Sequence, residues 1–208
     1  KTSMNSMAKG SNDVILRDRL QFDIDANGDT SLVYGSIGLS DYVSIPANKG
    51  LAIKEVRFQL RTRVDNDDGV WPNYMGPSQP NTWGSTSYQS SVKLFATTTA
   101  YEQISDVGIG SPNVLCVFEK QSYLASDLTG ADVTAAVLDT YEHMYGTPDL
   151  HPEGYDVVTD LLIGIGLENC KATSLASTTA ELDIMIIAEP KKITQRDLTQ
   201  MLTQASDL

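Results

Sequence analysis

The sequence predicts an all-β protein, an antiparallel sandwich of the jelly-roll type with one inserted helix and a C-terminal helix. Apolar and polar residues alternate along most of the chain, with the period of a half-buried strand. The apolar runs are short and are separated by Gly, Pro, Asn and Asp, which form turns. With 208 residues, 41% of them hydrophobic, the chain can bury one core of ordinary size. This composition excludes disordered chains and disulfide scaffolds.

Eight or nine strands are predicted from the alternating pattern. Residues 20–24 and 32–34 flank an Asn27-Gly28 pair, which predicts a hairpin. Residues 37–45 predict a broken strand closed by Pro46. Further strands are predicted at residues 56–60, 92–98, 103–107, 114–119, 161–167 and 182–188.

One helix is predicted inside the strand pattern, at residues 131–145. There Val133, Val137, Tyr141 and Met144 recur at spacings of four, four and three. This spacing places them on one stripe of a helix, so the segment is expected to be an amphipathic helix inserted in the sandwich.

A helical tail is predicted for residues 191–208. Thr194 is a good N-cap with Asp197 three residues later, and Ile193 and Leu198 have the spacing of a hydrophobic staple. The apolar stripe of the helix includes Leu198, Met201 and Leu202. A helix this short must dock on something, either its own domain or a neighbouring subunit.

The rest of the chain is organised as a flexible N-terminal arm at residues 1–12 and a single sandwich domain at residues 13–190. Residues 64–91 predict a long strand-poor loop within that domain. Loops of this length are usually functional or disordered, and the aromatic content argues for an ordered loop that packs on the sandwich or on a partner. Its aromatic residues are Trp71, Tyr74, Trp83 and Tyr88.

The net charge of -12 predicts a surface that repels nucleic acid and anionic membranes. The longest strongly apolar stretch, residues 161–167, is far shorter than the roughly 20 residues that span a bilayer. We therefore expect neither strong nucleic-acid binding nor a membrane span.

The charge is unevenly distributed along the chain. Residues 1–63 carry a net charge of +2, whereas residues 64–190 carry -15. Early strands could thus attract late strands within one molecule, or opposite faces could meet between subunits, while an acidic coat on a soluble surface is the simpler alternative. Arg57 and Arg61 are predicted to lie on the outward face of one basic strand. We expect them to face acids on an adjacent strand or on a neighbouring subunit.

Residues capable of binding metal are present only in weak patterns. Asp23, Asp25 and Asn27 match the first half of an EF-hand calcium loop, but Tyr34 stands where the bidentate Glu is needed. A second weak pattern, for zinc, contains His143 and His151. No metal or other cofactor is therefore expected.

The two cysteines, Cys116 and Cys170, are expected to be small buried side chains, and a disulfide between them is the alternative. The chain has no Gly-x-Ser-x-Gly, dinucleotide-binding or phosphate-loop motif. The protein is therefore not expected to be an enzyme.

The combination of a β-rich acidic domain, a polar N-terminal arm, a long aromatic loop and a helical tail resembles the jelly-roll coat subunits of viruses. This resemblance implies a structural, self-assembling protein of the virion, whose partners are copies of itself and other shell proteins. The expected interface residues are Trp71, Tyr74, Trp83, Tyr88, Leu198, Met201, Leu202, Arg57 and Arg61.

Two alternatives remain open at the level of the sequence. A secreted or cell-surface carbohydrate-binding β-sandwich would use the aromatic residues of the 64–91 loop to stack on sugar rings. A hydrolase with a pair of carboxylates comes third, because such a pair is built across a fold and leaves no local motif.

Overall fold

The computed structural model describes residues 6–7, 12–62, 86–127, 135–145, 154–170 and 177–206. These residues form ten strands, one α-helix, and two short 3-10 helices at Ile45–Ala47 and Ile104–Asp106. The strands and the α-helix are β1 (Ser6–Met7), β2 (Val14–Asp23), β3 (Thr30–Ile37), β4 (Lys49–Thr62), β5 (Thr86–Thr97), β6 (Val114–Asp127), β7 (Ala135–Tyr145), β8 (Tyr155–Val157), β9 (Leu161–Glu168), β10 (Thr179–Lys192) and α1 (Gln195–Ser206).

The strands form two antiparallel sheets. The first sheet has the order β1-β2-β10-β4-β8 and the second has the order β3-β9-β5-β6-β7. The pairing is nested: β2 pairs with β10, β3 with β9, β4 with β8, and β5 with β6. Strand β7 extends the second sheet beyond β6. The strands from β2 to β10 therefore pair as they would in one long hairpin, and the successive pairs lie alternately in the first and the second sheet.

One hydrophobic core joins the two sheets. Alternate residues of β10, including Leu182, Ile184 and Ile186, are buried. They belong to the same cluster as Leu94 of β5 and Ile165 of β9, which lie in the second sheet. Because strand side chains alternate between faces, each sheet turns one apolar face inward. The arrangement is that of a β-sandwich, as the alternating sequence predicts.

The outer face of the second sheet is covered by the connection between β5 and β6, residues 98–113. Phe95 and Val117, which lie on neighbouring strands, form a small buried cluster with Val107 of this connection. The Nζ atom of Lys93 donates a hydrogen bond of 2.8 Å to the carbonyl oxygen of Val107. The central strands of this sheet are thus buried on both faces.

This covering loop corrects the strand predicted at residues 103–107. The segment instead contains the 3-10 helix Ile104–Asp106. Its two apolar residues, Ile104 and Val107, pack onto the sheet, and Ile104 lies directly over Gly166. Apolar residues separated by polar ones also occur in a loop that covers a sheet, so they do not by themselves identify a strand.

The helix predicted at residues 131–145 is wrong. Residues 135–145 form β7, which pairs antiparallel with β6 over its whole length. A spacing of four residues, as between Val137 and Tyr141, is a multiple of two and also close to the helical period of 3.6, so it does not separate a strand from a helix. The presence of β-branched and aromatic residues in the segment favours a strand.

The hairpin predicted around Asn27-Gly28 is also wrong, because β2 and β3 belong to different sheets. The backbone N–H of Ile24 donates to the carbonyl of Thr178, which leads into β10 of the first sheet. The N–H of Asn169, which follows β9 of the second sheet, donates to Oδ1 of Asp29. These tertiary hydrogen bonds hold the turn across the end of the sandwich, so that it links the two sheets.

The loop and arm boundaries need smaller corrections. Strand β5 begins at Thr86, so the last six residues of the predicted 64–91 loop are part of a strand. Within the predicted arm at residues 1–12, Ser6–Met7 pair with β2. The predicted strands at residues 56–60, 114–119, 161–167 and 182–188 are confirmed as parts of β4, β6, β9 and β10.

Candidate functional site

The outer face of the first sheet carries a set of charged side chains, which we call the charged face. It is formed by β2, β10 and β4, because β10 lies between the two early strands. In register, Arg19 lies opposite Asp183, and Glu181 lies opposite Arg61. The sequence-predicted residues Arg57 and Arg61 both belong to this face, on the outward parity of β4.

Asp183 is the centre of the charged face. Arg19 binds it with two hydrogen bonds, Nε to Oδ1 at 2.5 Å and Nη2 to Oδ2 at 3.0 Å. Arg61 approaches Oδ2 from the other side at 3.4 Å. The hydrogen bonds from Arg19 hold the pKa of Asp183 below its usual range. The expectation that Arg61 faces an acid on an adjacent strand is therefore confirmed.

Arg57 has a different environment. It contacts Glu55 on its own strand, and its side chain is 61% exposed. It lies opposite Met185 of β10, which in turn lies opposite Arg17 of β2. Across the sheet, Met185 therefore lies between Arg17 and Arg57. The neighbouring position along β10 on the same face is Asp183, whose charge is paired with Arg19.

The uneven charge of the chain is partly balanced inside the molecule. Basic residues of β2 and β4 flank the acidic strand β10, and Lys54 binds both Asp13 and Glu189 at 2.7 Å. Attraction between early and late strands accounts for the pair of Lys54 with Glu189, whereas Asp13 belongs to the same early segment as Lys54. Arg19 was not among the residues predicted from the sequence. Its alternation with the apolar residues of β2 places it on the outer face of the sheet, and this pattern could have identified it.

The tail helix α1 begins as the sequence predicts. Thr194 caps it, because Oγ1 accepts a hydrogen bond from the N–H of Asp197 at 3.2 Å. Leu198 and Ile193 are buried together with Val158. The staple is therefore confirmed and docks the first turns of α1 on its own domain.

The other tail residues predicted as interface have less defined surroundings. Met201 is half-buried against the Val158 cluster, and the side chain of Leu202 lies outside the described residues. The first two residues of the predicted tail, Lys191 and Lys192, belong to β10. A contact between α1 and a neighbouring subunit stays a prediction.

A cavity of about 330 Å³ lies beside α1. Its walls come from α1, from β8 and the turn after it, and from the ends of β5 and β6. Asn113 and Asp156 are among its lining residues. Each also has one buried side-chain atom, Nδ2 and Oδ1 respectively, without a hydrogen-bond partner among the described residues. No sequence pattern points to this cavity, because its residues come from four separate segments.

The calcium candidates do not converge on one point. Oδ1 of Asp23 accepts from the hydroxyl of Thr179 at 2.7 Å. Oδ1 of Asp25 accepts from the N–H groups of Asn27 and Asp29, and the hydrogen bond from Asp29 lowers its pKa. Among the residues that the structure describes, no three His, Cys, Asp or Glu side chains could share a metal ion. Asp25 therefore stabilises the turn, and Asp23 joins β2 to β10.

The remaining candidates are the two histidines and the two cysteines. His143 lies on β7 opposite Glu119, while His151 lies outside the described residues. Cys116 and Cys170 are both buried free thiols. Burial raises the pKa of each thiol to about 12.

Of the aromatic residues predicted as interface, only Tyr88 lies in the described part of the chain. Its backbone belongs to β5, opposite Leu124 of β6. Trp71, Tyr74 and Trp83 lie outside the described residues. Their role in an interface stays a prediction.

Comparison with models of known protein families and with curated proteins finds no match for this sequence. In the described ranges, no helix has the length and apolar character needed to cross a membrane.

Proposed function

We propose that the protein is a self-assembling coat subunit with a jelly-roll core. The observation that carries the proposal is the nested pairing of β2 with β10, β3 with β9, β4 with β8 and β5 with β6. A jelly roll has eight strands in two sheets, and viral coat domains use it as a rigid building unit. The extra strands β1 and β7 lie at sheet edges and leave this order intact.

Two features of the chain supply contacts between subunits in this proposal. The connection between β4 and β5 carries Trp71, Tyr74 and Trp83, and aromatic residues are enriched where proteins meet. The helix α1 follows the last strand and lies outside the two sheets. Jelly rolls also occur in lectins, so the fold alone does not decide the function.

Sedimentation velocity of the purified chain tests the proposal. A coat subunit sediments as large particles or defined multimers at micromolar concentration. A carbohydrate-binding module, the second candidate, remains a monomer or small oligomer and is retained on a polysaccharide column. A strictly monomeric protein that is retained by polysaccharide would overturn the proposal.

Deletion of residues 195–208 tests the tail. The cut spares β10, whose pairing with β4 extends to Lys192 opposite Lys49. We expect a sandwich that still folds by circular dichroism but is destabilised by roughly 1.5 to 3 kcal/mol, because Leu198 is buried against its own domain. We also expect that it no longer forms large species, because in the proposal the tail contacts the neighbouring subunit. The variant T199A is the control, since Thr199 is exposed and its hydroxyl donates to the carbonyl of Gln195 in its own helix. Large species formed by the truncated chain would exclude the tail from the interface.

A further inference from the structure

We propose that a projecting turn of one molecule binds the outer face of the first sheet in a second copy. The turn comprises residues 106–111, with Ile109 at its tip, and we call it the isoleucine knob. The surface that receives it is centred on Met185 between Arg17 and Arg57, and we call it the arginine patch. This contact belongs to the assembly proposed above and rests on that function.

The isoleucine knob stands clear of the sandwich. Ile109 is 70% exposed and is the most exposed large apolar side chain among the described residues. A Cβ atom added at Gly108 or Gly110 would meet nothing within 4 Å, so there is open space on both sides of the tip. Burial of this isoleucine against a partner is favourable, because it removes apolar surface from water.

Hydrogen bonds hold the knob in this shape. The hydroxyl of Ser111 donates to the carbonyl of Asp106 at 2.7 Å and accepts from the N–H of Gly108 at 2.9 Å. At the base of the knob, Val107 is buried and its carbonyl accepts a hydrogen bond from Lys93. Because the turn is already ordered, it loses little conformational entropy when it binds.

The surroundings of the knob are acidic. The connection of residues 98–113 contains Glu102 and Asp106 but no Lys or Arg. Both carboxylates are exposed, and neither forms an ion pair within the described part of the chain. A surface with an apolar tip beside unpaired carboxylates is complementary to a surface with apolar and basic side chains.

The arginine patch has these properties. Met185 and Ile187 are half-buried on the outer face of β10. Arg17 and Arg57 lie on the two neighbouring strands, each about 4.8 Å of strand spacing away from Met185. Arg17 is exposed and has no ion pair in the described ranges, whereas Arg57 contacts Glu55. The isoleucine can therefore pack on Met185 and Ile187 while an acid of the knob binds Arg17.

The two surfaces must come from different molecules. The knob lies in the connection that covers the outer face of the second sheet, and the patch lies on the outer face of the first sheet. The outer faces of a sandwich point away from each other, so the contact joins successive copies head to tail. Each copy carries both surfaces, so the contact repeats into a ring or a chain.

The apolar and charged parts of the contact have different roles. Burial of Ile109 supplies affinity, and the charges select which faces meet. Added salt screens the few ion pairs and also the repulsion between acidic copies. The contact is therefore compatible with association that does not weaken in salt.

Sedimentation velocity of the full-length variant I109A tests the apolar part. We expect association to weaken about tenfold or more, because the variant removes most of the apolar surface of the tip. The matched control is I45A, because Ile45 is also exposed, at 39%, and lies in the 3-10 helix that precedes β4. Association of I109A equal to that of the unmodified chain would overturn the proposal, as would an equal loss in I45A.

Charge reversal tests the ionic part. R17E and D106K each replace an attraction with a repulsion, so we expect each variant alone to associate about tenfold more weakly. A mixture of the two should recover large species, because the patch of R17E then meets the knob of D106K with opposite charge. D41K is the control, since it makes the same change of charge at an exposed turn outside both surfaces. A mixture that associates no better than either variant alone would overturn the proposal.

The unmodified chain distinguishes a failure of this contact from a failure of the proposed function. If the unmodified chain forms large species and I109A, R17E and D106K all match it, the contact is wrong and the assembly function stands. If the unmodified chain is monomeric at every concentration, both are wrong.

Discussion

At the scale of single residues, Asp183 joins three strands through its carboxylate. The hydrogen bonds from Arg19 and the nearby Arg61 gain their full, charge-assisted strength only when the carboxylate is ionised. Arg19 is 47% exposed and Asp183 is 29% exposed, so solvent screens the interaction. We therefore expect this network to contribute modestly to stability, on the order of 1 kcal/mol.

The pH dependence of unfolding tests this contribution. The pKa of Asp183 is lowered by the fold, so its contribution is present above the unfolded pKa of about 3.9 and is lost as the pH falls through the folded pKa. In denaturant titrations, D183N is expected to cost about 1 kcal/mol at pH 7 and progressively less toward pH 3. D41N, at an exposed turn position, is the control. A D183N effect that is independent of pH would contradict the assignment.

The two buried thiols give a second prediction. Because burial raises the pKa of Cys116 and Cys170 to about 12, neither is ionised or accessible in the folded protein at pH 8. We expect almost no reaction with Ellman's reagent until denaturant is added, and then two thiols per chain without any reductant. Rapid reaction of the folded protein, or no thiols after unfolding, would contradict this description.

At the scale of elements, the packing of β9 against β5 depends on glycine. Phe95 lies opposite Gly164, and a Cβ atom added at Gly164 would lie 2.1 Å from Cζ of Phe95. The ring of Phe95 also makes an edge-to-face contact with Tyr34, with centroids 5.8 Å apart. This packing leaves no room for a side chain on the outer face of β9 at this position.

We expect G164A to destabilise the protein by about 1 to 3 kcal/mol, the usual cost of overpacking. G38A is the control, because nothing lies within 4 Å of a Cβ atom added there. The double variant G164A/F95L is expected to lose less stability than the sum of the two single variants, because leucine relieves the clash. Additive losses in this cycle would show that the ring and the glycine are not coupled.

Elements with strong local signals were predictable from the sequence. The Thr194 cap and the Ile193–Leu198 staple depend only on neighbouring residues, so α1 was found. β7 was not, because spacings of four fit a strand as well as a helix. The turn at Asn27-Gly28 was recognised, but hydrogen bonds to Thr178 and Asn169 decide which sheets it links. Those partners are more than a hundred residues away in the sequence.

At the scale of the whole molecule, the charge distribution and the strand order agree. Basic residues of β2 and β4 flank the acidic strand β10, so part of the attraction predicted between segments acts inside each molecule. Each molecule still carries a net charge of -12, which makes copies repel one another. In the proposed assembly, contacts between copies must overcome this repulsion.

We therefore expect association to be unchanged or strengthened when NaCl is raised from low to molar concentration at pH 7. Salt screens exposed charges beyond about 8 Å at physiological ionic strength, which reduces the repulsion between subunits. Sedimentation velocity over a salt series measures the effect. Dissociation at molar salt would contradict apolar interfaces, and charge reversal at Arg57 would then show whether the charged face is the basic partner.

Electron microscopy of the purified full chain tests the proposed coat function most directly. If the protein is a self-assembling jelly-roll subunit, images will show closed shells or regular arrays, with two-sheet subunits in which β2 and β10 are adjacent. The sample should be imaged at the protein concentration at which sedimentation is measured. A field of separate particles of about 22.6 kDa at every concentration and salt condition would contradict the central claim.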